Sequence, residues 1–365
     1  MILERKSDIF YCQLLFIAVG IFFSILANGQ DVCSQNLEEA RRQFDEGRFY
    51  NIELIIAECL DNGFTKQERI DALELLALTK LYLDEMDKAD SIYLDLLRQD
   101  PEHQVNELVD PPDLMFLHNN FRTKPVFYWS VIAGLNYSSP SIIHDYSPFS
   151  FETTNEQYKA KLGYEGGVSI EFNVYKDLYF GGELLYSRKN FLFTDDPEFY
   201  SETVSNEYNI SYIEANHFFS IPLIAKYTFG EKRIRPYFYG GLSLDLLLFS
   251  NQNDLSKLSP IDEENEDLAS LNISNLRNPW NFSGIIGIGA RIKTDGISLI
   301  ALDFKVVPGF TNITKESRRY IGGGEVQGQN VIISGAVSDA MRLNCISLSI
   351  RYVSPFYNPK LKKDK

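Results

Sequence analysis

Four histidines, four cysteines, four methionines and two tryptophans are all that 365 residues supply of those types. The scarcity bounds the chemistry. His103, His118, His144 and His217 are scattered, and none stands at metal-ligand spacing from another His or a Cys. The chain has no G-x-S-x-G elbow, no phosphate-binding loop and no dinucleotide fingerprint. The expectation is a protein that is not an enzyme, with no catalytic residue, no metal and no cofactor. Ile321-Gly322-Gly323-Gly324 is glycine-rich, but no helix follows it, so it reads as a loop tip. Asp262, Glu263, Glu264, Glu266 and Asp267 form an acidic cluster that lacks the EF-hand pattern.

Positive charge is also short. Lys and Arg number 35 against 50 Asp and Glu, a formal charge of −15. With a pI near 4.8 the chain is a poor partner for nucleic acid. Long apolar runs are missing as well, and the mean hydropathy is −0.18. The longest run, 14–26, has about thirteen residues where a membrane helix needs about 20. This argues against a helical membrane protein. Arg5 and Lys6 precede the run and Ala27-Asn28-Gly29 follows it. Residues 1–29 therefore read as a secretory signal cut before Gln30, with an uncleaved anchor helix as the alternative. Cys33, preceded by Gln30-Asp31-Val32, is in the wrong context for a lipid-modified cysteine.

Export implies an oxidising compartment. Cys12 leaves with the signal. Cys33 and Cys59 stay in the region that follows and are the disulfide candidates, because a bridge there ties the N-terminal end to the second helix. Two unpaired thiols are the alternative. Cys345 lies far away in a strand and is expected free.

What the chain has in quantity is aromatic residues, 26 Phe and 21 Tyr, which suit strands and interfacial girdles. The stretch 233–249 alternates strictly. Ile234, Pro236, Phe238, Gly240, Leu242, Leu244, Leu246 and Leu248 share one face. Arg235, Tyr237, Tyr239, Gly241, Ser243 and Asp245 lie on the other. A period of two separates the faces of a strand. About sixteen residues is long for a soluble domain, whereas roughly 9–11 tilted residues cross a bilayer.

Seven further stretches alternate in the same way: 126–137, 162–174, 178–191, 217–229, 280–293, 297–306 and 341–353. Tyr175-Lys176-Asp177, Gly230-Glu231-Lys232 and Thr294-Asp295-Gly296 are tight turns. Between them 138–161, 192–216, 250–279 and 307–340 are long and polar. Short turns at one rim and long loops at the other mark an outer-membrane barrel, with the turns periplasmic. The predicted barrel spans 126–354, has eight antiparallel transmembrane strands and is embedded in outer-membrane lipid.

Its inner face carries Glu165, Glu171, Glu183, Asp245 and Asp303 against Lys226, Arg235, Arg291, Lys305 and Arg351. Charges inside a narrow barrel persist only when paired, because desolvation costs several kcal/mol per ion. The balance predicts a salt-bridged plug and not a pore selective for one sign.

Before the barrel, 30–110 reads as helices. Leu37, Ala40 and Phe44, then Ile52, Ile55, Ile56, Cys59 and Leu60, recur mostly at three and four. Thr65 with Glu68 makes a capping box. Leu73, Leu76, Ala77, Ala89, Tyr93 and Pro101 occupy the spacing of a tetratricopeptide-like repeat, with an ordinary four-helix bundle as the alternative. From 31 to 110 there are about 20 acidic and about 8 basic residues, a net near −12. Either this is a solvated face or it recruits a periplasmic protein or peptide with basic residues. Glu68, Asp71 and Glu74 are the candidate contacts. Residues 111–125 read as a linker, and 355–365 as a basic tail.

The run FFSIPLIAKYTFGEKRIRPYFYGGLSLDLLL, residues 218–248, resembles the PorT-like outer-membrane β-barrel family common in Bacteroidota. The matching positions are Ile221, Pro222, Leu223, Lys226, Tyr227, Arg235, Pro236, Tyr237 and Gly241. The resemblance covers 126–354 and not the helical region. It implies an outer-membrane location. An even strand number returns both ends of the barrel to the rim with the short turns, and this phase places the helical domain in the periplasm. Some members serve secretion and gliding machinery, so it also implies an accessory or structural role in an envelope or secretion assembly. No family catalytic residue carries over. Two other roles remain open: a small transport or channel protein, and an outer-membrane enzyme with its site in the long loops.

Overall fold

The computed structural model describes residues 32–106, 108, 110–146, 157–195, 209–230, 232–258, 270–294, 296–319, 324–326, 329–331 and 339–362. The expected signal at 1–29, the acidic cluster at 262–267 and most of the glycine run at 321–324 lie outside them. The chain forms two compact units, Met1–Pro125 with Tyr357–Lys365, and Val126–Phe356.

The first unit is helical. Helix α1 covers 32–45 and ends at Gly47, whose φ of +73° suits a residue without Cβ. Helices α2 (Ile52–Asp61), α3 (Lys66–Tyr82) and α4 (Met86–Gln99) follow. Thr65 caps α3 by accepting from the Glu68 backbone N–H, and the Glu68 side chain accepts from the Thr65 N–H. Ile52 and Ile56 of α2 pack with Leu37 and Ala40 of α1 and with Ala72, Leu75 and Leu76 of α3. Leu73, Ala77, Ala89 and Tyr93, four of the positions with the repeat-like spacing, are buried.

The stretch 111–125 is folded and is no linker. Pro111-Pro112 opens helix α5 (Pro112–Asn119), where a proline in the first turn removes no needed donor. Leu114, Leu117 and Phe121 enter the core around Tyr93, Leu96 and Leu97. The stretch 355–365 is also more than a free tail. Phe121–Arg122 pairs antiparallel with Lys360–Leu361. Tyr357 donates to Glu102 at 2.9 Å, and Lys362 Nζ donates to the Asn119 carbonyl at 2.7 Å. Its positive charge hid the alternation that lets Leu361 sit beside Phe121.

The second unit is a closed ring of eight antiparallel strands. They are β1 (Phe127–His144), β2 (Gln157–Tyr175), β3 (Leu178–Asp195), β4 (Asn209–Thr228), β5 (Ile234–Leu258), β6 (Trp280–Lys293), β7 (Leu299–Val307) and β8 (Ala340–Phe356). Each pairs with the next, and β8 pairs with β1 along its whole length. Closure removes the unpaired edges that a sheet cannot expose to lipid. At the turn rim Lys176 takes φ +44° and Gly230 φ +72°, which makes the short connections.

Five strands run on past their expected ends on the loop side by four residues or more, β5 by nine and β4 by eight. Sequence reading stops a strand where its outer face turns polar. The backbone ladder continues beyond that point, because hydrogen bonding does not require an apolar face. Leu271–Asn272 and the hairpin Gly324–Val326 with Gln329–Val331 add to this projecting sheet.

Candidate functional site: the filled interior and the acidic helical unit

The outward positions form a continuous apolar belt. Phe238, Leu242, Ile286, Ile288, Leu302, Leu348 and Ile350 are exposed. Their strand neighbours Tyr237, Tyr239, Ala301, Asp303, Ser349 and Arg351 are buried. Aromatic rings gather at the turn rim. Phe127 stacks on Phe356 at 4.7 Å, and Phe229 lies against Tyr227 and Phe238. Such a girdle anchors a barrel where hydrocarbon gives way to water.

The interior holds charges in tiers. Nearest the turn rim, Glu171 takes Lys226 at 2.5 Å and also Arg291. Arg291 lies among the rings of Tyr128, Tyr179 and Tyr237, so a cation removed from water also meets π faces. In the next tier Arg351 bridges Glu183 and Asp303, and the Tyr237 hydroxyl donates to Asp303 at 2.6 Å. Above it Lys305 and the Ser347 hydroxyl both reach Glu165 at 2.7 Å. Asp245 accepts from Ser243 at 2.7 Å and Ser283 at 2.9 Å, with Lys189 at 3.9 Å. Nearest the loop rim, Arg277 grips Glu214 through two hydrogen bonds of 2.8 and 2.6 Å.

Space between the tiers is taken by tyrosines lying over glycines. A Cβ on Gly287 would come within 2.3 Å of the Tyr239 ring, and one on Gly289 within 2.5 Å of the Tyr237 ring. The alternation in β6 therefore needs glycine at these two inward positions. A cavity of about 10 Å³ between Ser169, Glu171, Tyr179, Glu183 and Lys226 has room for one water at most.

At the loop rim the connecting segments fold inward. The Asn278 N–H donates to the Ile313 carbonyl, the Lys315 N–H to Leu276 and the Ile313 N–H to Met341. Ile313 packs with Phe191, Phe218, Met341 and Leu343 in an apolar layer.

Nine of the ten interior charges expected from sequence meet partners in this network. Arg235 does not. It is half-buried, pairs across the strands with Arg291, and has no ion-pair partner among the described residues. Two cations face each other there, and Arg291 has the carboxylate. Lys189, Glu214 and Arg277 were missed. Glu214 and Arg277 fall in stretches read as loops, although Glu214-Ala215-Asn216 continues the alternation of β4. Cys345 is a buried free thiol on the inner face.

In the helical unit Cys33 and Cys59 are joined by a disulfide across 26 positions. Of the three candidate partner contacts, Glu68 and Asp71 already hold partners inside the unit. Glu68 serves the cap of α3 and accepts from the Ser34 hydroxyl, which holds its carboxyl below the usual range. Asp71 binds Arg41 at 2.6 Å and Gln67 at 2.9 Å. Glu74 is turned toward His103, with 3.5 Å between Oε2 and Nε2. The cap and the cross-helix pair use the charge that sequence alone assigned to the surface.

Burial, with Asp110 and Asp71 close by, pushes the Glu74 carboxyl up to about 7. Burial also lowers His103 and His118, and Tyr93 bonds His118 Nδ1 at 2.8 Å. A carboxyl raised on folding favours the fold while it is protonated. That contribution is whole below its unfolded pKa and is lost as pH rises through about 7. The helical unit should thus be less stable at pH 8 than at pH 5 by about 2 kcal/mol from this group, discounted for partial exposure. Glu74→Gln should flatten that slope in thermal melts of the full chain. A slope unchanged by the substitution would place the titrating group elsewhere.

Eight ring-bonded strands with an apolar exterior and a charge-filled interior define a small transmembrane β-barrel of the outer-membrane type. The chain belongs to the outer membrane protein beta-barrel domain family, whose model matches residues 126–315. Its location is accordingly the outer membrane. Among solved structures it is similar to Neisserial surface protein A, with 14% identity over 62% of this chain and 95% of that one, TM-score 0.26. It is similar to the attachment invasion locus protein Ail of Yersinia pestis, with 10% identity over 62% and 99%, TM-score 0.26. It is also similar to the outer membrane protease OmpT of Escherichia coli, with 7% identity over 63% and 96%, TM-score 0.35. No curated protein matches the chain.

Proposed function

We propose that the barrel is an anchor closed to ions, and that it holds an acidic, repeat-like helical unit in the periplasm to recruit a protein with basic residues. The reading makes the protein an accessory or structural part of an envelope assembly. The observation that carries it is the interior. Arg351, Asp303, Glu183, Arg291, Glu171 and Lys226 fill the interior from the turn rim to mid-barrel with mutually paired charge, and Arg277 with Glu214 does the same under the loop rim. An ion would have to break buried pairs to pass, and that costs several kcal/mol per pair. With passage disfavoured, function falls to what lies outside the membrane.

Two features support the periplasmic placement. The barrel segment begins at Val126 and ends at Phe356, beside the rim with the short turns. In barrels of this class that rim is periplasmic. The acidity of 31–110 supports a basic partner, since opposite charge speeds encounter and is screened by salt.

The test is electrical. Purified protein in planar bilayers should give no stable conductance. Arg351→Ala with Arg291→Ala, which removes two plug cations, should give leak currents if it still inserts. Steady channels from the unmodified protein would refute the anchor reading and make the barrel a pore.

A further inference from the structure

Helix α2 has the composition of a buried helix, yet one of its faces is uncovered. Seven of its ten residues, IELIIAECLD, are apolar. Ile52, Ile56 and Cys59 turn inward and are buried. On the other side Leu54 is 76% exposed, and Tyr50, one turn earlier, is 84% exposed. Ala57, Glu58 and Asp61 continue that face and are exposed too. Leu54, Ala57 and Asp61, three and four apart, make a single stripe of the helix, and Tyr50 is exposed in the 3-10 turn that leads into it. A helix apolar on both sides ordinarily has both sides covered.

We infer that this stripe is the docking surface for the partner, and that the partner presents an amphipathic helix whose apolar face is flanked by Lys or Arg. The inference rests on the proposed recruiting role of the helical unit and gives it an address. Charge selects the occupant. Glu58 and Asp61 border the apolar stripe and make no ion pair among the described residues, in contrast to Glu53, which Lys80 holds at 2.6 Å. A second copy of this chain would bring the same two acids against them. An anionic lipid surface would be repelled in the same way. A basic amphipathic helix covers Tyr50 and Leu54 and places cations beside both free carboxylates, the helix-in-groove mode of recognition.

The experiment uses the full chain in a neutral maltoside detergent. The probe is a fluorescent synthetic peptide with Leu at helical spacing and Lys on its flanks, beside a control in which every Lys is Glu. The Lys peptide should bind, the Glu peptide should not, and binding should weaken as salt rises. Leu54→Asp should weaken the Lys peptide about tenfold or more, as expected for a central apolar anchor. Glu58→Gln with Asp61→Asn should weaken it while abolishing most of its salt dependence. Circular dichroism checks that the variants stay folded. Binding that survives Leu54→Asp but is lost in Asp84→Asn with Asp87→Asn would overturn the α2 address and leave the recruiting role standing. No salt-sensitive binding by any variant would overturn both. A photo-crosslinker at position 54 that reacts with residues of its own chain, or a dimer that Leu54→Asp dissolves, would also overturn the inference.

Discussion

Arg351→Leu should destabilise the barrel by about 3–5 kcal/mol, the usual cost of breaking a buried pair by removing one partner. Arg351 is 1% exposed and holds two carboxylates, Glu183 and Asp303, that are themselves buried. Leucine would fill much of the space but leave both acids facing each other out of water. The Tyr237 hydroxyl would stay on Asp303, and a neutral hydroxyl offsets little of the lost charge. Urea unfolding of the detergent-solubilised barrel, followed by the heat-dependent gel shift, measures the effect. Arg235→Leu is the comparison. It lies on the same face, but is half-buried and without an ion-pair partner among the described residues, so it should cost below about 1 kcal/mol. Adding Glu183→Gln and Asp303→Asn to Arg351→Leu should recover part of the loss, because the penalty belongs to the stranded charges. Equal effects from Arg235→Leu and Arg351→Leu would mean that the paired tiers do not hold the barrel together.

The contrast between these two arginines shows how far the sequence could be read. Alternation placed both on the inner face, since a period of two is a local property of the strand. Which cation meets which carboxylate depends on stagger around the ring, and stagger depends on the bulges. The ladder between β4 and β5 shifts at His217/Phe218, and that between β2 and β3 at Lys161/Tyr164. None of these has a signature in composition. The strand count and the turns were legible because hydrophobic alternation and turn residues are local. The inward-folded segments were not, because Arg277 meets Glu214 across 63 positions and nothing near Arg277 looks like a strand. The local bonds of the acidic surface were hidden for a similar reason. Glu68 and Asp71 were counted as free charge, while their partners Thr65 and Arg41 lie 3 and 30 positions away along the chain.

Opening the Cys33–Cys59 bridge should lower the stability of the helical unit by about 3 kcal/mol and leave the barrel folded. The loop closed is 26 positions long, and cross-links of that span remove roughly that much free energy from the unfolded chain. The bridge joins α1 to α2, and α1 otherwise contributes chiefly Leu37 and Ala40 to the shared core. That is a small apolar anchor for one end of a domain, so α1 should be the first element to fray. Gly63 reports on the same spot. Its φ is +152°, and a Cβ there would come within 2.5 Å of Cys33 Sγ. Gly63→Ala should therefore cost stability in the oxidised protein, through both the backbone and the bridge. Cys33→Ser with Cys59→Ser gives the reference, and Gly63→Ala placed on it should cost less, since a hydroxyl there is free to turn away. Limited proteolysis of the full chain in detergent reads the helical unit, and the heat-dependent gel shift reads the barrel. Loss of the bridge should speed cleavage within 32–61 while the gel shift stays where it was. A barrel that unfolds together with the helices would mean that the two units form one cooperative body, and the bridge would then have to be treated as part of the anchor.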